Sequence, residues 1–532
     1  MTKLYLYVCR YLTVLLLCGA TTAFAQSTVT GKVTSSEDGA ALPGVNILEK
    51  GTSNGTVTDT DGNFTISVGA NATLILSFVG FTSQEVAVGS QTLLDIKMAS
   101  DVKALSEVIV TGYGSQEKKE ITGAVVSLDN KDFNKGNIND PTQLMQGKVA
   151  GLSIYNKGGD PNGSPVIRLR GLSTVGSNSA PLIVVDGVLG ATLDNIDPQD
   201  IATVNVLKDG SAAAIYGSRG SSGVILITTK RGSKRGGGIG VSYNSYVSAA
   251  SVFRKIPIMS PEQYVAAGGN DLGSKTNWQD LVTQTGVSTV QNLAVSGGNE
   301  NTTFRLSTNI RNVNGVLKKS GFDQINTRAN LTHSAIEGKL KIDLNMAFTV
   351  RNIDYSFNEA LRYATLYNPT APVYFPGTNN YYQAVLFDNF NPVAILNQNT
   401  STGVSKNLNY GGKIDYQIVK GLTLTFNYGQ QFTDLSKTAY YAINSLFRGY
   451  NRHGLADRYE SQYNFTLAEG YANYTKNINK LDLSVTGGYS YQQDQFKDLS
   501  VDLGNFPSDQ LGANALAQSA NLLTGVVAAG GN

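Results

Sequence analysis

From residue 239 onward, apolar and polar side chains alternate in long runs. Phe304, Leu306, Thr308 and Ile310 fall on one side of an extended chain, and Thr303, Arg305, Ser307, Asn309 and Arg311 on the other. Leu340, Ile342, Leu344, Met346, Phe348 and Val350 alternate in the same way with Lys341, Asp343, Asn345, Ala347, Thr349 and Arg351. Leu422, Leu424, Phe426 and Tyr428 oppose Thr423, Thr425 and Asn427, and Leu481, Leu483, Val485 and Tyr489 repeat the scheme. A period of two predicts antiparallel strands with one apolar and one polar face. A soluble sheet shows this alternation too. Strands of about ten residues and tyrosines towards strand ends (Tyr416, Tyr428, Tyr489, Tyr491) favour a membrane barrel, with lysines and aspartates lining its lumen.

Before residue 239 the pattern is shorter and denser. VTGKVT, VNILEK, GTVTDTDGNFTISV and ATLILSFVGF, within residues 28–99, read as short strands broken by Gly, Pro and Asp turns, a sandwich of about seven strands. Asp59, Asp61 and Asn63 make a solvated turn, because Gly62 breaks the order of a calcium loop. Residues 117–232 read as a small mixed α/β domain, with a helix over Thr142–Val149 and strands in the apolar runs. Within it, Ile201–Gly232 predicts a strand, a short helix over Ser211–Tyr216 capped by Asp209 and ended by Gly217, then a buried strand over Val224–Thr229. Arg168 and Arg170 are either solvated or paired with acids on an enclosing wall. Gly217, Gly220 and Gly223 lack the spacing of a nucleotide loop and read as turn glycines.

Composition adds the compartment. Lys3 and Arg10 flank an apolar run, Tyr11–Ala20, followed by Ala23-Phe24-Ala25, which reads as an export signal over residues 1–25. About ten apolar residues are too few for a spanning helix. Cys9 and Cys18, the two cysteines, both lie in that segment, so the mature chain offers no thiol for disulfides or metal. Setting aside Lys3 and Arg10 leaves 40 basic residues against 40 acidic ones, which gives no argument for nucleic acid. No nucleophile elbow, metal cluster or phosphate loop is present, and His333 and His453 fall in strand-like context; neither an enzyme nor a cofactor is expected.

Two segments remain as candidate contact sites. Glu107, Val108, Ile109, Val110 and Thr111 form a short β-prone run that suits strand addition to another protein's sheet edge. The long segment RYATLYNPTAPVYFPGTNNYYQAVLFDNFNPVAI resists a strand assignment and suits a loop on the extracellular side of a barrel. Its Tyr381, Tyr382, Phe387 and Phe390 either stack on a ligand or lid, or pack on one another to hold the loop shut.

Several stretches resemble a known family. GKVTSSEDGAALPGVNILEKGTSNGTVTDTDGNFTISV resembles a carboxypeptidase-regulatory-like domain. TGYGSQEKKEITGAV, LMQGKVAGLSI, PVIRLRGLSTVGSNSAPLIVVDGV and VLKDGSAAAIYGSRGSSGVILITTKRG resemble the plug of TonB-dependent outer-membrane transporters of the SusC/RagA branch. That resemblance implies a multi-domain chain: signal (1–25), regulatory-like β-sandwich (26–100), TonB-box-like linker (101–114), α/β plug (115–232) and part of an antiparallel transmembrane β-barrel (233–532). It also implies import of glycans or peptides across the outer membrane. The partners would be TonB, bound near Glu107–Thr111, a SusD-like surface lipoprotein as lid, and outer-membrane lipid. Arg168, Arg170, Tyr216 and Arg219 become plug-gate candidates. The nine or ten strand candidates fall short of the about 22 that a transporter barrel needs, and family members are longer, so a truncated chain is expected. The competing functions are an outer-membrane signalling receptor and a non-functional transporter fragment.

Overall fold

The computed structural model describes residues 27–530 except 37–38, 53, 70–71, 79–80, 82, 90, 100–107, 112–113, 118–124, 157–158, 172–178, 191–192, 194–195, 210–213, 233–237, 384–387, 479–480, 515 and 520. At 108–111, 114–117, 214–215, 481–482 and 521–530 it describes the backbone alone. The signal segment, Glu107 and Phe387 therefore lie outside the described residues.

The first unit has seven strands in two sheets, as the turn spacing predicts. β1 (Ser27–Ser35), β4 (Asn63–Val68) and β7 (Leu93–Met98) form one sheet, and β2 (Asn46–Glu49), β3 (Gly55–Val57), β5 (Thr73–Ser77) and β6 (Gln84–Ala87) the other. Alternation sends Val29, Val33, Phe64, Ile66 and Ile96 inward against Ile47, Leu74 and Leu76 from the second sheet. The Asp59 carboxylate accepts from the backbone N–H groups of Asp61 (3.0 Å) and Asn63 (2.8 Å), which makes the expected turn. Further along, β8 (Val108–Thr111) and β9 (Gly114–Glu117) pair as a two-stranded sheet.

In the second unit, the α/β domain is built on a mixed sheet ordered β10 (Val125–Asp129), β15 (Ile201–Leu207), β16 (Val224–Thr229), β13 (Leu182–Val185), β14 (Val188–Leu189), beside a hairpin of β11 (Leu152–Tyr155) and β12 (Val166–Leu169). Its core gathers Leu144, Met145, Leu152, Ile167, Val204, Val206, Ile225 and Ile227. Two helix expectations need correction. In place of a helix over Thr142–Val149 there is a single 3-10 turn, Pro141–Leu144, with a capping box between Asp140 and Gln143. The carbonyls a longer helix would use are taken by Asn134, whose side chain donates to the oxygens of Gln143 (2.9 Å) and Gln146 (2.8 Å) and whose N–H donates to Leu144 O (3.0 Å). The second helix is a 3-10 segment, Ala214–Ser222, with its N-terminal expected part outside the described residues. Gly217 breaks it at φ +62°, yet the turn resumes beyond, so the glycine kinks the segment and does not end it.

Ten antiparallel strands then run in sequence order: β17 (Gly240–Ala250), β18 (Gly286–Gly298), β19 (Thr302–Asn314), β20 (Gly321–Ala335), β21 (Leu340–Asp354), β22 (Asn399–Val419), β23 (Leu422–Tyr441), β24 (Leu455–Ile478), β25 (Leu481–Gly504) and β26 (Asn521–Gly530). At one end the connections are tight, as at 299–301, 336–339 and 420–421; at the other they are long, at 251–285, 355–398, 442–454 and 505–520. Burial is inverted relative to a soluble sheet. On β19 the apolar Leu306 and Ile310 are 48% and 47% exposed, while Ser307, Asn309 and Arg311 are at most 2% exposed. An apolar outer face around a polar interior is what a bilayer demands and water forbids.

Strand length departs from the expected ten residues, reaching 24 in β24 and β25. On β23 the outward positions from Leu422 to Phe432 are apolar except Gln430, a span of about the 9–11 residues a tilted strand needs to cross. One step higher, register aligns Lys406, Asp434, Gln462 and Lys497 in a polar row across four strands. The strands therefore continue past the lipid-facing band. This places Tyr428, Tyr489 and Tyr491 within strands, away from their ends.

Candidate functional site

The inner face of the strand wall seats the α/β domain, which acts as a plug on it. Three plug aspartates, all at turns, meet wall arginines. Asp197 opens the 3-10 turn Pro198–Asp200, where its Oδ1 accepts from Gln199 N–H at 2.8 Å. The same carboxylate takes two hydrogen bonds from Arg311 on β19, Nη2 to Oδ1 at 2.9 Å and Nε to Oδ2. Both side chains are at most 1% exposed. Arg311 Nη1 donates further to Ile138 O at 2.8 Å. Asp200, at the end of that turn, accepts from Arg305 Nη2 (3.2 Å) and from Asn309 Nδ2 (2.7 Å). Asp186, in the β13–β14 turn, meets Arg328 Nη1 at 3.4 Å and accepts from Thr229 N–H and Oγ1 at 2.9 and 2.7 Å. Arg231, just past β16, pairs with Asp343 on β21. On the far flank, a side chain at Gly429 would reach within 3.2 Å of the Val188 methyl, so glycine lets the wall approach the plug there.

Lys230 lies in this seam, its Nζ donating to Gln199 O at 2.6 Å. Burial is the main cause that lowers its pKa, with Arg305 adding to it.

Nearer the long-loop end, the plug turn Asp160–Gly163 reaches the strand tops. Asn162 Nδ2 donates to Gly321 O and Asp354 O, both at 3.0 Å, and its Oδ1 accepts from Arg351 Nη2 at 3.0 Å.

The connections 251–285 and 355–398 share one apolar cluster, which makes a packed cap. α1 (Pro261–Ala266) and α2 (Trp278–Val282) come from 251–285, and α3 (Asn358–Leu366) and α4 (Pro392–Gln398) from 355–398. Asn391 caps α4 through Val393 N–H (3.0 Å) and Ala394 N–H (3.1 Å), with Pro392 in the first turn. Trp278 is fully buried edge-on against Tyr367 (4.9 Å) and donates from Nε1 to Asn368 O at 2.9 Å. Asp388 accepts from Tyr363 Oη and from Arg362 Nη2 (2.8 Å). Those hydrogen bonds, Tyr363 first, hold its carboxyl below the ordinary 3.8, while burial and then Asp388 push the Tyr363 phenol up to about 12.

Of the loop aromatics singled out from sequence, Tyr381 lies 4.9 Å from Tyr374 and Tyr382 lies 5.1 Å from Phe375, ring centre to ring centre. Phe390 packs on Tyr363 (5.4 Å) and Phe447 (5.5 Å). Tyr381, Gln383, Phe390, Asn444 and Phe447 border a cleft of about 260 Å³. In this structure Tyr381, Tyr382 and Phe390 each pack on another aromatic ring.

The gate candidates fall apart from one another. Arg168 Nη1 donates to Ser179 Oγ and Arg170 pairs with Asp209, so both find partners within the plug. Neither arginine pairs with an acid on the wall: three seat pairs set a plug acid against a wall arginine, and Arg231 with Asp343 runs the other way. Arg219 does reach the wall, donating to Gln492 Oε1 on β25, and Tyr216 is half-buried. Asp186, Asp197 and Asp200 were missed. Their signal was acids set in turn sequences, VVDGV and NIDPQD, facing a strand whose polar side carries Arg305 and Arg311.

Comparison with known proteins bears on this arrangement. Residues 29–110 match the CarboxypepD_reg-like domain, and residues 117–224 match the TonB-dependent Receptor Plug Domain. The chain is similar to "TonB-dependent receptor SusC" of Bacteroides thetaiotaomicron, 31% identical over 88% of this chain and 50% of the relative. The chain resembles SusC/RagA-like TonB-dependent receptors, with the regulatory-like match ahead of the plug match. It is 33% identical to "TonB-dependent receptor P3" of Formosa agariphila, over 90% of this chain and 49% of that one. It therefore spans about half the length of the curated relatives it matches. In fold it is similar to a chain of the RagAB peptide importer in its "open-open" state, with a TM-score of 0.67 and 21% identity, covering 79% of this chain and 53% of that one. By their names these relatives are receptors and a peptide importer.

Proposed function

We propose that this chain forms the plug and the plug-bearing side of a TonB-dependent importer of bulky nutrients, glycans or peptides, across an outer membrane. One observation carries the reading: a plug seated through buried charged contacts on the polar face of a sheet whose apolar side chains point outward. A fixed structural protein has no need of a separable domain filling its interior, whereas a gate does. In this reading the outward band lies in outer-membrane lipid and the regulatory-like domain stands on the periplasmic side or inside the barrel. The boundaries are 1–25 for the signal, 26–100 for the regulatory-like domain, 101–114 for the linker, 115–232 for the plug and 233–532 for barrel wall. TonB pairs with the extended run Glu107–Thr111, whose described part is already strand. A SusD-like surface lipoprotein covers the loop cap, and Tyr216 and Arg219 shift as the plug moves. Deleting residues 106–111 in the full-length protein tests this. Uptake is expected to vanish while ligand binding stays, and unchanged uptake refutes the assignment.

A further inference from the structure

The plug meets this wall at two levels that differ in chemistry. The lower contact joins Asp186, Asp197 and Asp200 to Arg328, Arg311 and Arg305, with plug carboxylates at most 4% exposed. The upper contact is the turn Asp160–Gly163, nearer the long-loop end. That turn is shaped from within: Asp160 Oδ1 accepts from Asn162 N–H at 2.9 Å, and Asp160 O from Gly163 N–H at 3.2 Å. Its side-chain hydrogen bonds to the wall run through one half-buried neutral amide, Asn162, which bonds the backbone of two neighbouring strands and Arg351. Arg351 also donates to Pro161 O at 3.3 Å, and its guanidinium lies 3.8 Å from the centre of the Phe322 ring. The ring holds the arginine in place when the amide leaves.

We infer that Asn162 is a reversible latch: it closes the plug against β20 and β21, and it is the contact released first on opening, while the charged lower contact holds. This rests on the import reading. A neutral amide at the solvent edge exchanges its partners for water at small cost, whereas the lower carboxylates are fully enclosed. Asn162 is thus a positioning residue that sets the closed state.

The test uses full-length protein in planar bilayers and in cells. Asn162→Ala is expected to raise the frequency of spontaneous openings about tenfold or more, the factor for two or three hydrogen bonds of ordinary net strength. Asn162→Asp, which keeps the acceptor for Arg351, is expected to raise it less. A disulfide between Asn162→Cys and Asp354→Cys is expected to stop uptake until reduced. One across the lower contact, Gln199→Cys with Asn244→Cys (side-chain atoms 3.1 Å apart), is expected to leave the frequent openings of Asn162→Ala in place. Openings unchanged in Asn162→Ala overturn the latch, as does uptake that survives the upper disulfide. Loss of the Asn162→Ala openings under the lower disulfide overturns the order of release. If unmodified protein imports nothing, the import reading fails, and the opening frequencies still decide the latch.

Discussion

Replacing Arg311 by alanine isolates the energetics of the plug seat. Asp197 is fully buried and its partner 1% exposed, with two hydrogen bonds between them. Removing the guanidinium leaves an enclosed carboxylate whose remaining hydrogen bond, among the described residues, comes from the Gln199 N–H. Losing one member of a buried pair costs about 3–5 kcal/mol. At about 1.4 kcal/mol per factor of ten, plug release should become a hundredfold to several thousandfold more frequent. Limited proteolysis of the plug in detergent measures this, because cleavage follows the open population when reclosing is fast. The double variant Asp197→Asn with Arg311→Met keeps the cap on Gln199 and removes both charges, so its cleavage should return to within about tenfold of the parent. A change under threefold in Arg311→Ala refutes the reasoning, and so does a double variant as labile as the single.

Phe426→Arg places a charge in the middle of the outward band, where Phe426 is 52% exposed; folding into vesicles should weaken by about 2–4 kcal/mol, and unchanged folding yield would argue for a wall facing water. Trp278→Ala should cost about 3–5 kcal/mol locally, read as faster hydrogen exchange over 251–285 and 355–398 with β18–β21 unaffected; uniform exchange throughout contradicts a separate cap. Asp388 has its folded pKa lowered below the ordinary 3.8. Its stabilising contribution is therefore complete above the unfolded value and lost as pH falls through the folded one. Acidification below about pH 4 should loosen the 355–398 loop to protease, Asp388→Asn should abolish that dependence, and a pH-independent parent counts against it.

How far these features could be read from sequence depends on whether local or distant partners decide them. The period of two placed β19, β21 and β23 correctly, because alternation is a local property of an extended chain facing two different surroundings. The same alternation left water or lipid outside undecided; burial of Asn309 and Arg311 beside exposed Leu306 and Ile310 decides it. Thr142–Val149 has helical composition, yet Asn134, eight residues before the segment, takes its carbonyls. Arg168 and Arg170 stood out as cations on an alternating strand, but their partners Ser179 and Asp209 come from folding within the plug. Asp197 and Asp200 resemble ordinary turn acids until β19 is laid beside them.

The seat's chemistry is consistent with a plug that must leave and return. Mutating Arg311 strands one charge in a closed interior, which is the costly case. Opening is different, because both members of each pair part into water and recover their hydration together. An apolar seat would lack that recovery: about 25 cal/mol would be lost for every Å² bared to the lumen. Asp186, Asp197 and Asp200 against Arg328, Arg311 and Arg305 thus give a contact of enclosed opposite charges when closed and a modest cost when flooded. That difference requires water to enter as the plug moves, and the Asn162 turn is a half-buried part of the seam. Breaking the upper contact first admits the water that weakens the lower one.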